Sequence, residues 1–226
     1  MQQKVWEQEY KKGQLVSKSL QPQKDFFRLM RIIKKLGFEI ENKNVLDLGS
    51  GTGRNSLYLS ELGANVTGME ISDTAIAVGE AVAKEEKFKV EFLNKSIGDE
   101  YPFDDNKFDL VMDLTSSNSL DEKEREVYLN EVNRVLKPGG YLLIRTLTKD
   151  GDKNAKKLLE LYPAGEKDTY ILPEVNLKEH VWIRDEFEKF YGEYFEINEI
   201  WTKEGYCRMN NQSYKRKYIL AVLVKK

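Results

Sequence analysis

Three glycines at alternate positions and an acidic residue beyond them are the part of the sequence best suited to bind a ligand. Residues 45–53 read Val-Leu-Asp-Leu-Gly-Ser-Gly-Thr-Gly, so an apolar strand runs directly into Gly49, Gly51 and Gly53. A Cβ atom at such a turn would block either the turn or a ligand that lies against the backbone. Glu70 follows a second short apolar run, roughly 20 residues on, where a doubly wound fold places a carboxylate for two ribose hydroxyls. The pattern predicts an adenosine ligand.

Two residues beside the glycines distinguish between adenosine ligands. A dinucleotide-binding turn has its third glycine one place later, and that place is occupied by Arg54. Asp47 stands two residues before Gly49, at the strand end where a pyrophosphate would lie. Two unit charges 4 Å apart interact by about 4 kcal/mol at an effective dielectric constant near 20, so this carboxylate would repel NAD. S-adenosylmethionine fits instead, because it carries a ribose and an ammonium group but no phosphate.

The elements around this turn alternate between strand and helix. Such alternation predicts parallel strands with right-handed crossovers, in one α/β domain of 226 residues. Apolar periodicity and capping residues predict strands at 44–48, 65–70, 88–93, 108–113, 141–147, 195–201 and 214–224, and helices at 24–36, 54–62, 72–84, 128–136, 155–161 and 185–191. The last two strands are expected to be antiparallel neighbours joined by residues 202–213.

Two segments fall outside this alternation. Residues 1–43 are expected to form an N-terminal helical cap, followed by the main domain at 44–226. The connection at about 148–182 is too long for an ordinary turn between a strand and a helix, and it is expected to cover the site as a lid.

Composition limits the classes of partner. The formal net charge is −2 with both signs interspersed, so no nucleic acid is expected, and Lys215-Arg216-Lys217 is interpreted as a solvated strand end. The single cysteine, Cys207, is expected to be an unreactive thiol. No apolar run is long enough for a membrane span. We therefore expect a cytoplasmic protein, monomeric or homodimeric, without a metal.

Taken together, these motifs resemble the class I S-adenosylmethionine-dependent methyltransferases. The resemblance rests on the glycine triplet, Glu70, the Pro102-Phe103 and Phe108-Asp109-Leu110-Val111 segments, and Leu136-Lys-Pro-Gly-Gly140. It implies a Rossmann-like seven-stranded sheet of order 3-2-1-4-5-7-6, with strand 7 antiparallel and helices on both faces. The run from Gly53 to Leu59 is similar to the tellurite-resistance and thiopurine methyltransferase-like branch.

The resemblance also implies roles for individual residues. Asp47 and the loop from Gly49 through Ser50, Gly51 and Gly53 would hold the methionine part of S-adenosylmethionine, and Glu70 its ribose. The remaining cofactor residues that it implies are Asn55, Ile71 against the adenine, Ser96 or a shifted Asp99 at the adenine amino group, Ile97, and Asp113 near the sulfonium. The product would be S-adenosylhomocysteine.

The acceptor side is less specific. The strand exit Asp113-Leu-Thr-Ser-Ser-Asn118 lacks the Asn/Asp-Pro-Pro-Tyr motif of methyltransferases that act on amino groups of adenine or glutamine. Thr115 and Ser116 are candidates for a hydroxyl-rich pocket floor, while Ser117 and Asn118 suit an N-cap cluster equally well. A small-molecule acceptor follows.

Four further residues have two interpretations each. His180, the only histidine, is either a catalytic base or a packing residue. Trp6 and Tyr10 either close over the cofactor or pack on the first helix. Trp182 is either a wall of the substrate pocket or part of the lid core.

The sequence leaves three functions to compare. The first is a methyltransferase that moves the methyl group by in-line displacement. The second is a non-catalytic S-adenosylmethionine-binding regulatory protein, and the third, disfavoured by Arg54 and Asp47, is an NAD-dependent reductase.

Overall fold

Helices and strands follow one another largely as the apolar pattern predicts. The computed structural model describes residues 2–12, 19–209 and 212–226. Its helices are α1 (Gln3–Lys12), α2 (Lys24–Lys35), α3 (Arg54–Glu61), α4 (Asp73–Glu86), α5 (Glu122–Val135), α6 (Lys153–Leu161) and α7 (Arg184–Gly192), with a 3-10 turn at Ser117–Ser119. Its strands are β1 (Asn44–Leu48), β2 (Asn65–Glu70), β3 (Val90–Asn94), β4 (Phe108–Leu114), β5 (Leu136–Leu147), β6 (Thr169–Leu172), β7 (Leu177–His180), β8 (Phe195–Met209) and β9 (Gln212–Lys225).

Seven of the strands form one sheet, and its order confirms the predicted topology. The order is β3-β2-β1-β4-β5-β9-β8, in which β9 runs antiparallel to both of its neighbours. The first five strands pair in parallel. The order reverses between β1 and β4, and in open α/β sheets ligands bind in the crevice beyond the strand ends at such a point.

Each face of the sheet has its own buried cluster. Along β1, Val45 belongs to one cluster and Leu46 to the other, because successive strand side chains point to opposite faces. Tyr128 from α5 packs on the second face and Phe26 from α2 on the first, and both side chains are fully buried. The helices therefore fix the strand ends from both sides.

Several element boundaries differ from the sequence-based expectation. Strand β5 begins at Leu136, since residues 137–140 continue the strand through a register shift against β4. Strands β8 and β9 pair out to Met209 and Gln212, so most of the predicted 202–213 loop is strand. Cross-strand pairing here overrides weak local propensity. The long connection contains α6 as predicted, and also a separate β6-β7 hairpin that was not predicted.

Some expectations concern features that the structure describes only in part. The side chain of Cys207 lies outside the described residues. Arg216 is not a solvated strand end, because it is 4% exposed and its Nε donates to Asp152 at 3.2 Å. Across the described ranges, no helix has the length and apolar character needed to cross a bilayer, and no cluster of His, Cys, Asp or Glu has the makeup of a metal site.

Candidate active site

A cavity of about 460 Å³ lies at the carboxyl ends of the central strands, beside the point where the strand order reverses. One half lies over the ends of β1 and β2 and is lined by the glycine turn and Glu70. The other half lies over the ends of β4 and β5 and is lined by Thr115, Arg145 and Leu147. This position and volume suit a cofactor in one half and a small acceptor in the other.

The glycine turn brings bare backbone to the cavity wall. Gly51 has a φ of +57°, and a Cβ atom there would lie 2.5 Å from Tyr10 Oη. The Ser50 amide donates to the Met69 carbonyl at 3.0 Å and thereby ties the turn to β2. Gly49 and Gly51 line the cavity, whereas Ser50 and Gly53 do not. The turn therefore allows a close approach to its backbone at Gly51, while the contact of Ser50 and Gly53 with a ligand stays a prediction that the cavity lining does not support.

Phe92 of β3 explains why glycine is needed at Gly53. A Cβ atom added at Gly53 would lie 2.6 Å from the Phe92 ring, and one added at Gly68 or Gly79 would lie 3.1 Å or 2.8 Å from it. The ring thus occupies a hollow left by three glycines from the turn, β2 and α4. Gly53 also precedes α3 as its N-cap with a φ of +79°. Gly53 therefore serves packing and chain direction.

Glu70 holds the turn in place with its carboxylate. Oε2 accepts a hydrogen bond from the Gly51 amide at 2.9 Å, and Oε1 accepts from the Ile71 and Ser72 amides at 2.8 Å and 3.0 Å. Burial raises the pKa of Glu70, and the three amide bonds oppose that rise. A carboxylate has about four lone-pair positions, and the three amides occupy three of them. One ribose hydroxyl would therefore use the fourth position, and the second hydroxyl would share a position with an amide.

Asp47 is the second buried carboxylate of this half. It is 2% exposed, and among the described residues its one hydrogen bond comes from Ser56 Oγ at 2.6 Å. Burial raises the pKa of Asp47 to about 6, while the Ser56 bond and nearby Arg54 lower it. A cation would stabilise its charged form.

Arg54 lines the cavity at the first turn of α3, and sequence reasoning missed this role. Burial lowers its pKa, and its charge lies near Tyr10, Asp47 and Arg145. The available signal was a cationic residue directly after the glycine turn. Asn55 also lines the cavity, and its Oδ1 is buried without a partner in the part of the chain that the structure describes.

The opposite wall of this half suits an apolar ring. Ile71, Ile97 and Leu120 line it, together with Ser96, whose Oγ accepts from the Gly98 amide at 3.1 Å. Asp99 does not line the cavity. Of the two residues predicted for the adenine amino group, only Ser96 lines the cavity.

Helix α1 lies across the cavity and is tied down along its length. Gln2 donates to the Lys178 carbonyl at 3.0 Å, and Gln3 donates to the Ile71 carbonyl at 3.2 Å. Glu7 accepts from the Ser72 and Thr74 hydroxyls at 2.6 Å each, and these bonds lower its pKa to about 2.

The aromatic residues of α1 face the same cavity. Trp6 and Tyr10 both line it, with ring centroids 6.4 Å apart. Burial and nearby Glu70 raise the pKa of Tyr10, which keeps its hydroxyl protonated. This arrangement favours a covering role for the two rings.

Asp113, near the end of β4, holds the loop that follows this strand through hydrogen bonds. Asp113 is fully buried and does not line the cavity, so the expectation that it contacts the sulfonium is corrected. It accepts from the Ser116 amide at 2.9 Å, the Ser117 amide at 3.2 Å and Tyr128 Oη at 3.0 Å. Thr115 and Ser116, which follow it, do line the cavity. Asp113 is therefore a positioning residue for the exit loop.

Ser117 and Asn118 are not N-cap residues of α5. Both lie in the 3-10 turn, and the N-cap of α5 is Asp121, which forms a capping box with Glu124. Asn118 lines the cavity and Ser117 does not.

His180 and Trp182 lie away from the cavity. Neither lines it, and the two rings pack edge to face with centroids 4.6 Å apart. Trp182 also packs on Phe187 and Phe190 in the core. His180 Nδ1 lies 3.0 Å from Thr169 Oγ1, and burial together with the Arg125 charge lowers the pKa of His180 to about 3. A buried, weakly basic ring that does not line the cavity does not fit the predicted catalytic role, and its contacts with Thr169 and Trp182 favour the packing interpretation.

Comparison with known proteins gives the same picture. Residues 45–140 match the family model described as a methyltransferase domain. The sterol 4-C-methyltransferase of Caenorhabditis elegans is 31% identical over 174 residues, which are 67% of this chain and 49% of the relative. A ubiquinone biosynthesis O-methyltransferase of Alkalilimnicola ehrlichii is 27% identical over 135 residues, covering 57% of this chain and 54% of the relative. The chain thus spans about half the length of these curated relatives.

A solved structure extends the likeness to nearly the whole chain. A SAM-dependent methyltransferase from Methanosarcina mazei superposes with a TM-score of 0.75 and 27% identity, over 86% of this chain and 96% of that one. The resemblance to the tellurite-resistance branch is not confirmed by these comparisons.

Proposed function

We propose that this protein transfers a methyl group from S-adenosylmethionine to a small-molecule acceptor. The proposal follows from family membership, because the chain belongs to the class I S-adenosylmethionine-dependent methyltransferases through its domain at residues 45–140. The observation that carries the proposal is Asp47. It is a buried carboxylate at the cofactor end of the cavity, and Ser56 is the one group described that donates a hydrogen bond to it. A buried charge needs a partner, and a cationic, phosphate-free ligand provides one.

The residues present fit this cofactor. Asn55 Oδ1 is a buried acceptor without a partner among the described residues, and the absence of a side chain at Gly51 lets Tyr10 Oη approach the backbone of the turn. S-adenosylmethionine supplies, when bound, a methyl group made electrophilic by the sulfonium. In this proposal Asp47 binds the amino group, Arg54 the carboxylate and Glu70 the ribose hydroxyls.

The chain contributes to the reaction mainly by orientation and by exclusion of water. Methyl transfer is an in-line displacement, so holding the acceptor atom in line with the methyl group supplies much of the rate. Trp6 and Tyr10 on α1 cover the cofactor half, which limits water there. We propose accordingly that residues 1–43 act as a cap and residues 148–182 as a cover.

The acceptor is proposed to be small. Relatives are named for action on a sterol or for ubiquinone biosynthesis, and this chain covers only about half of them. The acceptor half has an apolar wall formed by Leu147, Leu172 and Leu177, which suits an organic molecule with a nonpolar body.

Calorimetry followed by a transfer assay tests the proposal. We expect S-adenosylhomocysteine to bind and NADH not to bind at the same concentrations. Purified protein with S-adenosylmethionine and a panel of phenols, carboxylic acids, thiols and amines should then form S-adenosylhomocysteine above the background rate. Binding without transfer to any acceptor would favour the regulatory protein, and tighter binding of NADH would favour the reductase.

The pH dependence of cofactor affinity should follow Asp47. Its pKa of about 6 means that the carboxylate is mostly protonated at pH 5 and mostly charged at pH 7. We expect S-adenosylmethionine to bind about tenfold more weakly at pH 5 than at pH 7, because one pH unit corresponds to about a tenfold change in the charged fraction below the pKa. Titration calorimetry across this range measures it.

An Asp47→Asn variant is the control for this effect. Glu70 also has a raised pKa, so a pH dependence that persists in the variant would assign the effect to Glu70 instead. The ligand-free protein should show the opposite trend. Since the folded-state pKa of Asp47 lies above its ordinary value of 3.8, its contribution to stability falls as the pH rises through 6.

A further inference from the structure

Arg145, near the end of β5, is a cation held in one place at the acceptor half of the cavity. Its Nε donates to Asp25 Oδ2 of α2 at 3.1 Å, and its Nη1 donates to Thr115 Oγ1. Its guanidinium carbon lies 3.6 Å from the centroid of the Tyr218 ring. The side chain is 12% exposed and lines the cavity. Three contacts from three different elements therefore fix one orientation of this group.

The supports of Arg145 are themselves constrained. A Cβ atom at Gly205 would lie 2.9 Å from the Tyr218 ring, so the ring is held between the β8 backbone and the guanidinium. Thr115 has a φ of +79°, which is costly for a β-branched residue. Strain of this kind persists only where the surroundings impose it, and it concentrates at functional sites. Here the strained residue presents its hydroxyl to Arg145.

Arg145 still has donors to offer. A guanidinium carries five N–H groups in a planar fork, and the two bonds described use Nε and one hydrogen of Nη1. No acceptor among the described residues is paired with Nη2. Asp25 is shared with Lys203, so these three groups together carry a formal charge of +1. The fork is therefore available to an anion.

The other charged groups of this half are already paired. Tyr170 Oη donates to Glu179 Oε2 at 2.6 Å, and Arg216 donates to Tyr170 Oη at 2.6 Å. Arg216 lies 3.7 Å from Glu179 as well. The cavity lining also includes Leu147, Leu172, Leu177 and the Tyr218 ring, together with uncharged polar residues such as Gln23, Thr115 and Tyr206. Arg145 is also paired, with Asp25, but its Nη2 has no acceptor among the described residues, so it keeps donors that a ligand in this half can use.

We propose that the methyl acceptor is an apolar carboxylic acid, whose carboxylate binds the fork of Arg145 while its nonpolar body lies against Leu147, Leu172 and Leu177. The inference rests on the proposed methyltransferase function and names its substrate class. The planar fork matches carboxylate geometry better than a lysine ammonium would. Arg145 is then a specificity-determining residue.

Matched acid and amide probes test this inference. Benzoate and hexanoate, with benzamide and hexanamide as neutral counterparts, are titrated into protein saturated with S-adenosylhomocysteine. We expect the acids to bind at least tenfold more tightly than the amides. Arg145→Gln should remove that preference, and Arg145→Lys should retain it in part. Arg184→Gln, which changes an arginine on α7 paired with Glu188 and away from the cavity, should behave as the unchanged protein.

Two results would overturn the inference. One is equal binding of acids and amides by the unchanged protein, a measurement that needs no variant to fold. The other is an Arg145→Gln variant that loses S-adenosylhomocysteine affinity by the same factor as acid affinity, which would assign Arg145 to the cofactor. If the unchanged protein fails to bind S-adenosylhomocysteine at all, the proposed function fails, while the acid preference can still be measured without the cofactor.

Discussion

Glu70→Gln should weaken S-adenosylmethionine binding about a hundredfold, which corresponds to about 2.7 kcal/mol. The variant loses a charge-assisted hydrogen bond to the ribose, worth about 1.5 to 3 kcal/mol, and weakens a second, shared one. It also places an amide NH₂ near the Gly51 or Ser72 amide, where donor meets donor. The glycine turn would then lose part of its support, so the ligand-free turn should change as well. Titration calorimetry with S-adenosylhomocysteine measures the affinity.

Glu61→Gln provides the matched control for this change. Glu61 is an exposed residue at the end of α3, and it does not line the cavity. Its substitution should leave affinity within a factor of two. Unchanged affinity in Glu70→Gln would remove the ribose assignment and leave Glu70 as a support of the turn alone.

Gly53→Ala should destabilise the fold by about 2 to 5 kcal/mol. A left-handed conformation costs an ordinary residue roughly 1 to 2 kcal/mol, and forcing an extra methyl group into a packed region costs about 1 to 3 kcal/mol more. Both conditions hold at Gly53, where φ is +79° and the added Cβ atom would lie 2.6 Å from the Phe92 ring. Urea unfolding of the two proteins measures the difference in the free energy of unfolding.

Gly139→Ala separates the two causes. Gly139 has a φ of +72°, and a Cβ atom there would meet nothing within 4 Å. Its substitution should therefore show only the backbone cost of roughly 1 to 2 kcal/mol. If Gly53→Ala costs no more than this control, the Phe92 ring moves aside freely and the packing argument is wrong.

The fold was predictable where local pattern and tertiary structure agree. The buried parallel strands read as short apolar runs, and Ser72 was recognisable as the N-cap of α4, where its Oγ accepts from the Ala75 amide at 3.2 Å. The β6-β7 hairpin and the outer part of β8-β9 were not predictable in this way. Strand β6 is a strand-prone run of only four residues, Thr169–Leu172, while β7 and the outer part of β8 are polar or mixed and become strand because a partner strand satisfies their backbone.

The cofactor half of the site was predictable for a similar reason. Asp47, Gly51 and Glu70 lie on two adjacent strand ends, so sequence order already brings them together. Arg145 is different, because its orientation depends on Asp25 from α2 and Tyr218 from β9, which are distant from it in the sequence. His180 was singled out for its chemistry alone, and only the fold shows that it is buried behind the pocket.

The Phe92 ring limits which residues can replace glycines that are distant from one another in the sequence. Gly53, Gly68 and Gly79 belong to three separate elements, yet a Cβ atom at each would lie within 3.1 Å of the same ring, and at Gly68 Ser50 Oγ lies closer still, at 2.7 Å. A relative with a smaller side chain at position 92 would tolerate alanine at position 79, where the ring is the nearest neighbour. Position 53 would keep the backbone cost of its φ of +79°, and a Cβ atom at position 68 would still meet Ser50 Oγ at 2.7 Å. Positions 79 and 92 are therefore expected to change together across relatives, which a comparison of aligned relatives would reveal, and the outer strand β3 thereby limits the sequence of α4.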